Sequence, residues 1–368
     1  MTKIQETTLE INLPSLKANY HHLRSKLSPQ TKFMAVVKAF AYGSDASELA
    51  LYLEKLGVDY FAVAYTKEGI KLREDGVKSP IVVLHPLQVH FKDIIKYQLQ
   101  PSIYSFSVLG SFLRASEDQE HYPIHLKFNT GLNRLGFNAD DLEQLLEQLN
   151  IQEQLKVASV FSHLGASEDL NEKSFSLGQI DAFKKIKNEI TSRLPYKPLF
   201  HLLNTSGILN YRDLAEFDMV RSGIGLYGFG NDPRFDDTLK PIASLKSVIS
   251  QIHHLQPGES VGYNKGHIAD RVMTTATIPI GHADGISRQF GKGKGFLTLK
   301  GTKCPIVGNV CMDMLMIDVS GLECQEGDEV IIFGEHPTAA EFASTASTIS
   351  YELITAISQR ITRKIISK

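Results

Sequence analysis

Residues 33–45 read FMAVVKAFAYGSD: a run of five apolar residues followed directly by a lysine. An apolar run of this length that ends in polar residues and glycine, and is followed by a charged amphipathic stretch, is the repeating unit of a β/α fold. The unit recurs outward along the chain. Further apolar runs stand at 60–64 (YFAVA), 80–84 (PIVVL), 101–104 (PSIY), 124–128 (IHLKF), 157–161 (VASVF), 199–203 (LFHLL) and 219–227 (MVRSGIGLY). Between them lie segments such as 66–75 (TKEGIKLRED) and 140–149 (DDLEQLLEQL), with leucines at helical spacing. Eight such units within about 200 residues predict an N-terminal (β/α)8 barrel.

After 231–237 (NDPRFDD), a linker bearing proline and aspartate, the texture changes to β-branched alternation. Segments 243–253, 272–279, 296–299 and 330–333 read as antiparallel strands, with one helix expected over about 340–357. The reading is therefore α/β: a barrel over residues 1–237 followed by a mostly β domain over 238–368. The segment 8–13 (TLEINL) is placed to lend that second domain a strand.

Composition excludes several classes of function. With 39 Lys plus Arg against 41 Asp plus Glu, the net charge is -2, which offers no basic field to a nucleic acid or an anionic membrane. No stretch approaches the ~18 consecutive apolar residues of a membrane span. The opening MTKIQETTLE lacks the apolar core of a signal peptide, so a cytoplasmic location is expected. Cys304, Cys311 and Cys324 are odd in number and without C-x-x-C spacing, which suits packing thiols in a reducing compartment rather than disulfides or a zinc site. No metal site is expected; His21, His22, His253 and His254 lack a third ligand at metal spacing.

In a barrel the active site lies at the C-terminal ends of the strands. The polar residues closing the apolar runs are Lys38, Arg134 in the loop after 124–128, His163, the trio Asn204, Thr205 and Ser206, and Arg221, Gly223 and Gly225 in the last run. Lys38 is the most informative. A lysine directly after a buried strand has its stem desolvated, which lowers its pKa and frees the amine to react with an aldehyde cofactor.

Residues 36–45 (VVKAFAYGSD) resemble the cofactor-lysine motif of the alanine racemases, enzymes of fold type III that use pyridoxal 5'-phosphate (PLP). The resemblance continues, in the family's order, through 126–137 (LKFNTGLNRLGF), 161–169 (FSHLGASED), 201–207 (HLLNTSG), 220–228 (VRSGIGLYG), 261–266 (VGYNKG), 279–285 (PIGHADG) and 307–314 (VGNVCMDM). It implies a PLP-binding barrel followed by a β domain, and an enzyme interconverting L- and D-alanine to supply D-alanine for peptidoglycan. By resemblance Lys38 would carry the cofactor and serve as the base on one face of the substrate Cα. Tyr263 would serve on the opposite face, donated by the partner subunit of a homodimer with composite active sites.

The resemblance assigns further roles. Arg221 would face the pyridine nitrogen, and His163 would link that arginine to the tyrosine. Tyr42, Asn204, Thr205 and the backbone N–H groups of Gly223 and Ile224 would hold the cofactor, chiefly its phosphate. Arg134 and the backbone of Met312 would contact the substrate carboxylate, with Lys127, a carbamylation candidate, and Asp313 in support. Ser206 would be an extra group at the phosphate, in NTS where NSA is commoner, and five other positions depart from the commonest family pattern: Phe40, Asp45, His282, Asn309 and Gln359. They leave the chemical groups intact and bear on the entrance, hence on preference for alanine over serine or larger amino acids. Two rivals remain: a racemase of broader specificity, and a non-catalytic PLP carrier. Carriers of the second kind have the barrel and its lysine but not the second domain or its tyrosine.

Overall fold

The computed structural model describes residues 5–150, 153–235 and 238–367. β1 (Thr8–Asn12) leads into the helix Leu13–Ser25. Each of the eight apolar runs then supplies one strand: β2 (Lys32–Val36), β3 (Tyr60–Val63), β4 (Ile81–Val83), β5 (Gln100–Ile103), β6 (Tyr122–Lys127), β7 (Leu155–Phe161), β8 (Leu199–His201) and β9 (Met219–Ser222). β2 to β9 close into a parallel barrel. The pairing of β9 with β2, which sets Met34 opposite Arg221, completes the ring. The first two runs are apolar throughout, as suits a parallel strand covered by helices and buried on both faces; Phe33 to Val36 and Phe61 to Val63 are all buried.

The seventh and eighth strands are shorter than their apolar runs. β8 stops at His201, and β9 stops at Ser222, so Gly223 and Gly225 lie beyond the last strand rather than in it. A tight turn takes over there, with the N–H of Leu226 donating to the Gly223 carbonyl (2.8 Å) and that of Tyr227 to the Ile224 carbonyl (3.1 Å).

The described chain forms two compact units. One is the barrel, residues 17–41 and 46–239. The other takes the described residues through Leu16, the short stretch Tyr42–Asp45, and the described residues from Lys240 onward. A single cut after Asp237 is thus too simple a division; Asp236 and Asp237 of the expected linker lie outside the described residues. The second unit holds β10 (Ala243–Val248), β11 (Gln251–Leu255), β12 (Ser260–Val261), β13 (His267–Ile268), β14 (Met273–Ile278), β15 (Phe296–Leu299), β16 (Thr302–Val307), β17 (Leu315–Asp318), β18 (Glu329–Phe333) and β19 (Thr362–Ile366). Its main sheet runs β11-β14-β17-β16-β15-β18-β10-β1-β19. β1 lies between β10 and β19, antiparallel to the first and parallel to the second.

Two elements of this unit differ from the sequence reading. Segment 243–253 is two strands, because Ile249 donates to the Asp328 carbonyl while Ser250 donates to that of Thr277, so the chain changes neighbours between them. The helix expected over 340–357 is two helices, Ala339–Ser344 and Ser350–Ala356, with Ser347 between them in the left-handed region (φ 56°). Among the described residues, no helix is long and apolar enough to cross a membrane.

Candidate active site

The segment after β2 departs from anything periodicity suggests. Lys38–Gly43 is a helical turn, and its residues Ala39, Phe40, Ala41 and Tyr42 have φ of 52°, 56°, 52° and 55°. A left-handed turn of L-residues costs roughly 1–2 kcal/mol per residue, so surrounding contacts must hold it. Glu68 does so at its start: one carboxylate oxygen accepts from the N–H of Ala39 (2.6 Å), the other from those of Ala64 (2.7 Å) and Tyr65 (3.0 Å). The Tyr227 hydroxyl donates to the Val36 carbonyl just upstream (2.8 Å). At the far end Arg363 donates to the Gly43 carbonyl (2.9 Å). Glu68 went unrecognised in the sequence, although the Tyr65 to Glu68 spacing is that of a capping box.

Barrel register gathers the strand-end residues. Lys127 pairs with Phe161 across β6 and β7, and Phe161 with His201 across β7 and β8. The Phe161 ring stacks on His201 (4.9 Å between centroids) and carries two cations over it, Arg221 at 5.3 Å and Lys127 at 5.8 Å. Arg221 is buried, and its hydrogen bonds go only to neutral acceptors. Nη1 donates to His201 Nδ1 (2.6 Å) and the His201 carbonyl (3.3 Å); Nη2 donates to the carbonyls of Ser162 (2.7 Å) and Leu202 (3.1 Å) and to His163 Nδ1 (3.3 Å). Among the described residues Nε–H has no acceptor. The expected link between Arg221 and His163 is present, and His201 is a second, shorter one that the sequence reading placed only within a strand.

Lys38, Lys127, Arg134 and Arg221 crowd one region, and the effect is electrostatic. Burial, then Arg134, lowers the Lys38 amine, with Glu68 opposing. Burial, followed by Arg134, Arg221 and Lys38, pushes Lys127 down to about 8. Burial and the same cations hold His163 well below the usual histidine range, so its ring is neutral. Because Nδ1 of His163 accepts from Arg221, its proton resides on Nε2, free to donate outward. A cluster this rich in cations calls for anionic ligands.

An anion cradle lies beside it. Asn204 caps the helix Thr205–Ala215, its side chain accepting from the Gly207 N–H (2.9 Å) and from the Ser167 hydroxyl (2.8 Å). Thr205 shares a 3.0 Å hydrogen bond with Ser222. Gly225 permits the close approach, since a Cβ there would stand 2.5 Å from the Thr205 methyl carbon. Among the described residues, the N–H groups of Gly223 and Ile224 have no protein acceptor. With the first amides of the helix they form the kind of donor set that binds phosphate. Asn204 thus spends its side-chain oxygen on the cap.

Four further residues expected at the site, Tyr42, Tyr263, Met312 and Asp313, belong to the second unit. Tyr42 is buried beside Tyr351 (ring centroids 5.9 Å), and burial pushes its phenol up. Tyr263 and Met312 line one cavity of about 630 Å³ with Gly262, Cys311 and Asp313. Both protrude, Tyr263 at 74% exposure and Met312 at 60%. Asn309 donates to the Tyr263 carbonyl (3.0 Å). The Met312 loop is pinned by backbone bonds from His282 to the Cys311 carbonyl (2.9 Å) and from Ala283 to the Met312 carbonyl (3.0 Å). Arg360 then ties both loops together, with Nε on Asp284 and Nη2 on Asp313, each at 2.6 Å. The sequence marked Asp313 but not Arg360 or Asp284, which are distant from it in the chain.

The residues present fit PLP. The unused Nε–H of the buried Arg221 is a donor for a ring nitrogen, the amides near Gly223 suit its phosphate, and the desolvated Lys38 amine suits its aldehyde.

Comparison with known proteins covers nearly the whole chain. The family model described as alanine racemase, N-terminal domain matches residues 11–231, and that for the alanine racemase C-terminal domain matches 242–365. A relative named alanine racemase from Thermodesulfovibrio yellowstonii is 37% identical, the match covering 97% of each chain. The solved alanine racemase of Clostridium difficile 630 superposes with a TM-score of 0.92 at 33% identity, covering 99% of this chain and 97% of that one. The Bartonella henselae alanine racemase, solved with covalently bound pyridoxal phosphate, superposes at 0.89 with 29% identity, covering 99% and 100%.

Proposed function

The chain belongs to the alanine racemase family, and we propose that it interconverts L- and D-alanine with PLP by moving the α-proton between two bases, Lys38 and Tyr263. The observation that carries this reading is the strand-end Lys38 amine, desolvated on a left-handed turn within a cluster of cations. PLP, when bound to the substrate amine, withdraws electrons from Cα and so acidifies the α-proton.

Lys38 holds the cofactor at rest and exchanges a proton with one face of Cα. Its lowered pKa, caused first by burial, favours the neutral, basic form of the amine. Arg221 offers an N–H to the pyridine nitrogen. A guanidinium keeps its proton, so Arg221 would hold a bound ring unprotonated and temper the electron withdrawal that the cofactor supplies. Thr205, Tyr42 and the amides of Gly223 and Ile224 hold the phosphate. Arg134 meets the substrate carboxylate by charge and Met312 by its backbone N–H. Lys127, as a carbamate, would turn from a repelling cation into an anionic partner for Arg134.

Tyr263 completes the reading from the partner subunit of a homodimer. Support comes from its exposure beside exposed Met312 and Met314, on a surface an isolated chain would leave wet. His163, with its Nε2 proton outward, would donate to that phenol oxygen and favour its ionised form. The product D-alanine would enter peptidoglycan synthesis in the cytoplasm.

The deciding experiment follows α-proton loss by NMR in deuterated water, with PLP and L-alanine, and then product chirality. Exchange with D-alanine formed is expected, and Lys38→Ala should abolish both. Tyr263→Phe should slow proton removal from one enantiomer far more than from the other. Full turnover in Lys38→Ala would overturn the reading, and exchange with another amino acid but not alanine would move it to a different racemase.

A further inference from the structure

Branched aliphatic side chains ordinarily fill the interior of a (β/α)8 barrel. Here a line of inward positions is polar instead. His201 Nε2 lies 2.9 Å from Ser159 Oγ, that oxygen lies 2.6 Å from His125 Nδ1, and His125 Nε2 lies 2.8 Å from Gln100 Oε1. His125, Ser159 and His201 are all buried. Register produces the line, because His125 pairs with Ser159 across β6 and β7 one step below the pairing of Lys127 with Phe161. Tyr60 closes one side with its ring edge-on to His125 (6.2 Å).

The direction of every link follows from its two ends. Arg221 can only donate, so His201 Nδ1 accepts and the His201 proton sits on Nε2, pointing at Ser159. At the other end Gln100 presents its carbonyl oxygen, so His125 carries its proton on Nε2 and accepts at Nδ1. Ser159 therefore accepts from His201 and donates to His125. All four hydrogen bonds run the same way, away from Arg221. Burial pushes His125 down to about 3, and burial with Arg221 holds His201 well below its usual range, so both rings are neutral. None of the hydrogen bonds described for Arg221 goes to a carboxylate. The acceptor ends of aligned neutral dipoles balance its charge.

We infer that Gln100, His125 and Ser159 are positioning residues acting through His201 on Arg221, and that the Gln100 carbonyl sets the polarity of the chain. Were the chain to run the other way, His201 would turn an N–H towards a guanidinium that has only N–H groups to offer. Arg221 would then be pushed off the position from which it meets the cofactor ring. The effect on turnover rests on the role proposed above for Arg221; the polarity itself does not.

The test is 15N NMR of the full-length PLP-loaded protein labelled at histidine, with Gln100→Leu and Gln100→Glu beside the wild type. In the wild type both His125 and His201 should be neutral Nε2–H tautomers throughout the neutral pH range. Gln100→Leu should shift the His201 nitrogens and lower kcat by about tenfold with KM for alanine nearly unchanged. Gln100→Glu preserves an acceptor at that end and should keep the wild-type tautomers and most of kcat. A cationic or Nδ1–H ring in the wild type overturns the polarity, and this result does not depend on any variant folding. Unchanged His201 signals and kcat in Gln100→Leu overturn the positioning role. Wild-type protein with the stated tautomers but no racemisation would leave the polarity standing and overturn the proposed function instead.

Discussion

A Cβ on Gly43 would stand 1.9 Å from the carbonyl oxygen of Ile354, and Gly43 itself has a φ of 82°. Both facts close the position to any other residue, since the obstructing atom is backbone and cannot swing aside. Gly43→Ala should therefore destabilise the protein by on the order of 3 kcal/mol or more, and should weaken PLP retention because the same turn begins at Lys38. Urea unfolding monitored with cofactor absorbance measures both, and an unchanged midpoint would contradict the packing described.

His201→Leu removes the 2.6 Å acceptor from a buried guanidinium. Leaving such a donor unsatisfied costs about 1–3 kcal/mol, beyond any loss of packing. The variant should unfold at correspondingly lower denaturant and turn over more slowly, whereas a variant as stable and active as wild type would show that the carbonyls around Arg221 suffice.

Lys127 supplies a pH dependence. Its folded pKa of about 8 lies below the ordinary lysine value, so as pH rises above about 8 the native state releases a proton that the unfolded chain retains. Stability in bicarbonate-free buffer should accordingly rise with pH through that window, and Lys127→Met should flatten the rise. The neutral amine is also the form that adds CO2. Labelled bicarbonate at about pH 8 should give a carbamate 13C signal that Lys127→Met lacks; no signal at any pH would rule the modification out.

Arg360→Met should loosen the Met312 loop, because one side chain ties Asp284 and Asp313 together. If Met312 meets the substrate carboxylate, KM for alanine should rise by about tenfold while kcat changes less. The opposite split, a fall in kcat at constant KM, would place Arg360 in the chemistry rather than in substrate holding.

Much of this was legible before folding. Apolar runs at 33–37, 60–64 and 157–161 are buried-strand patterns in themselves, and the polar residues closing them were bound to meet at one end of a parallel barrel. Legibility failed where backbone conformation or a distant partner decides. Residues 39–42 are Ala, Phe, Ala and Tyr, none of which favours a left-handed turn, so no local propensity foretells one. The helix expected over 340–357 breaks at Ser347 for a similar reason: the pattern is helical on both sides and silent about the φ between them.

The sequence alone determined the class of fold and the lysine that follows the first barrel strand, which are properties of short segments set by periodicity and by side-chain chemistry. The groups proposed to hold a phosphate, a ring nitrogen and a carboxylate came from the family resemblance of those segments. Tertiary structure decided the partners. Barrel closure and strand register bring Arg221 onto His201, and His201 through Ser159 and His125 onto Gln100, although these residues span more than a hundred positions of chain. A hydrogen bond acts over about 3 Å, and only the folded barrel brings such distant residues within that reach.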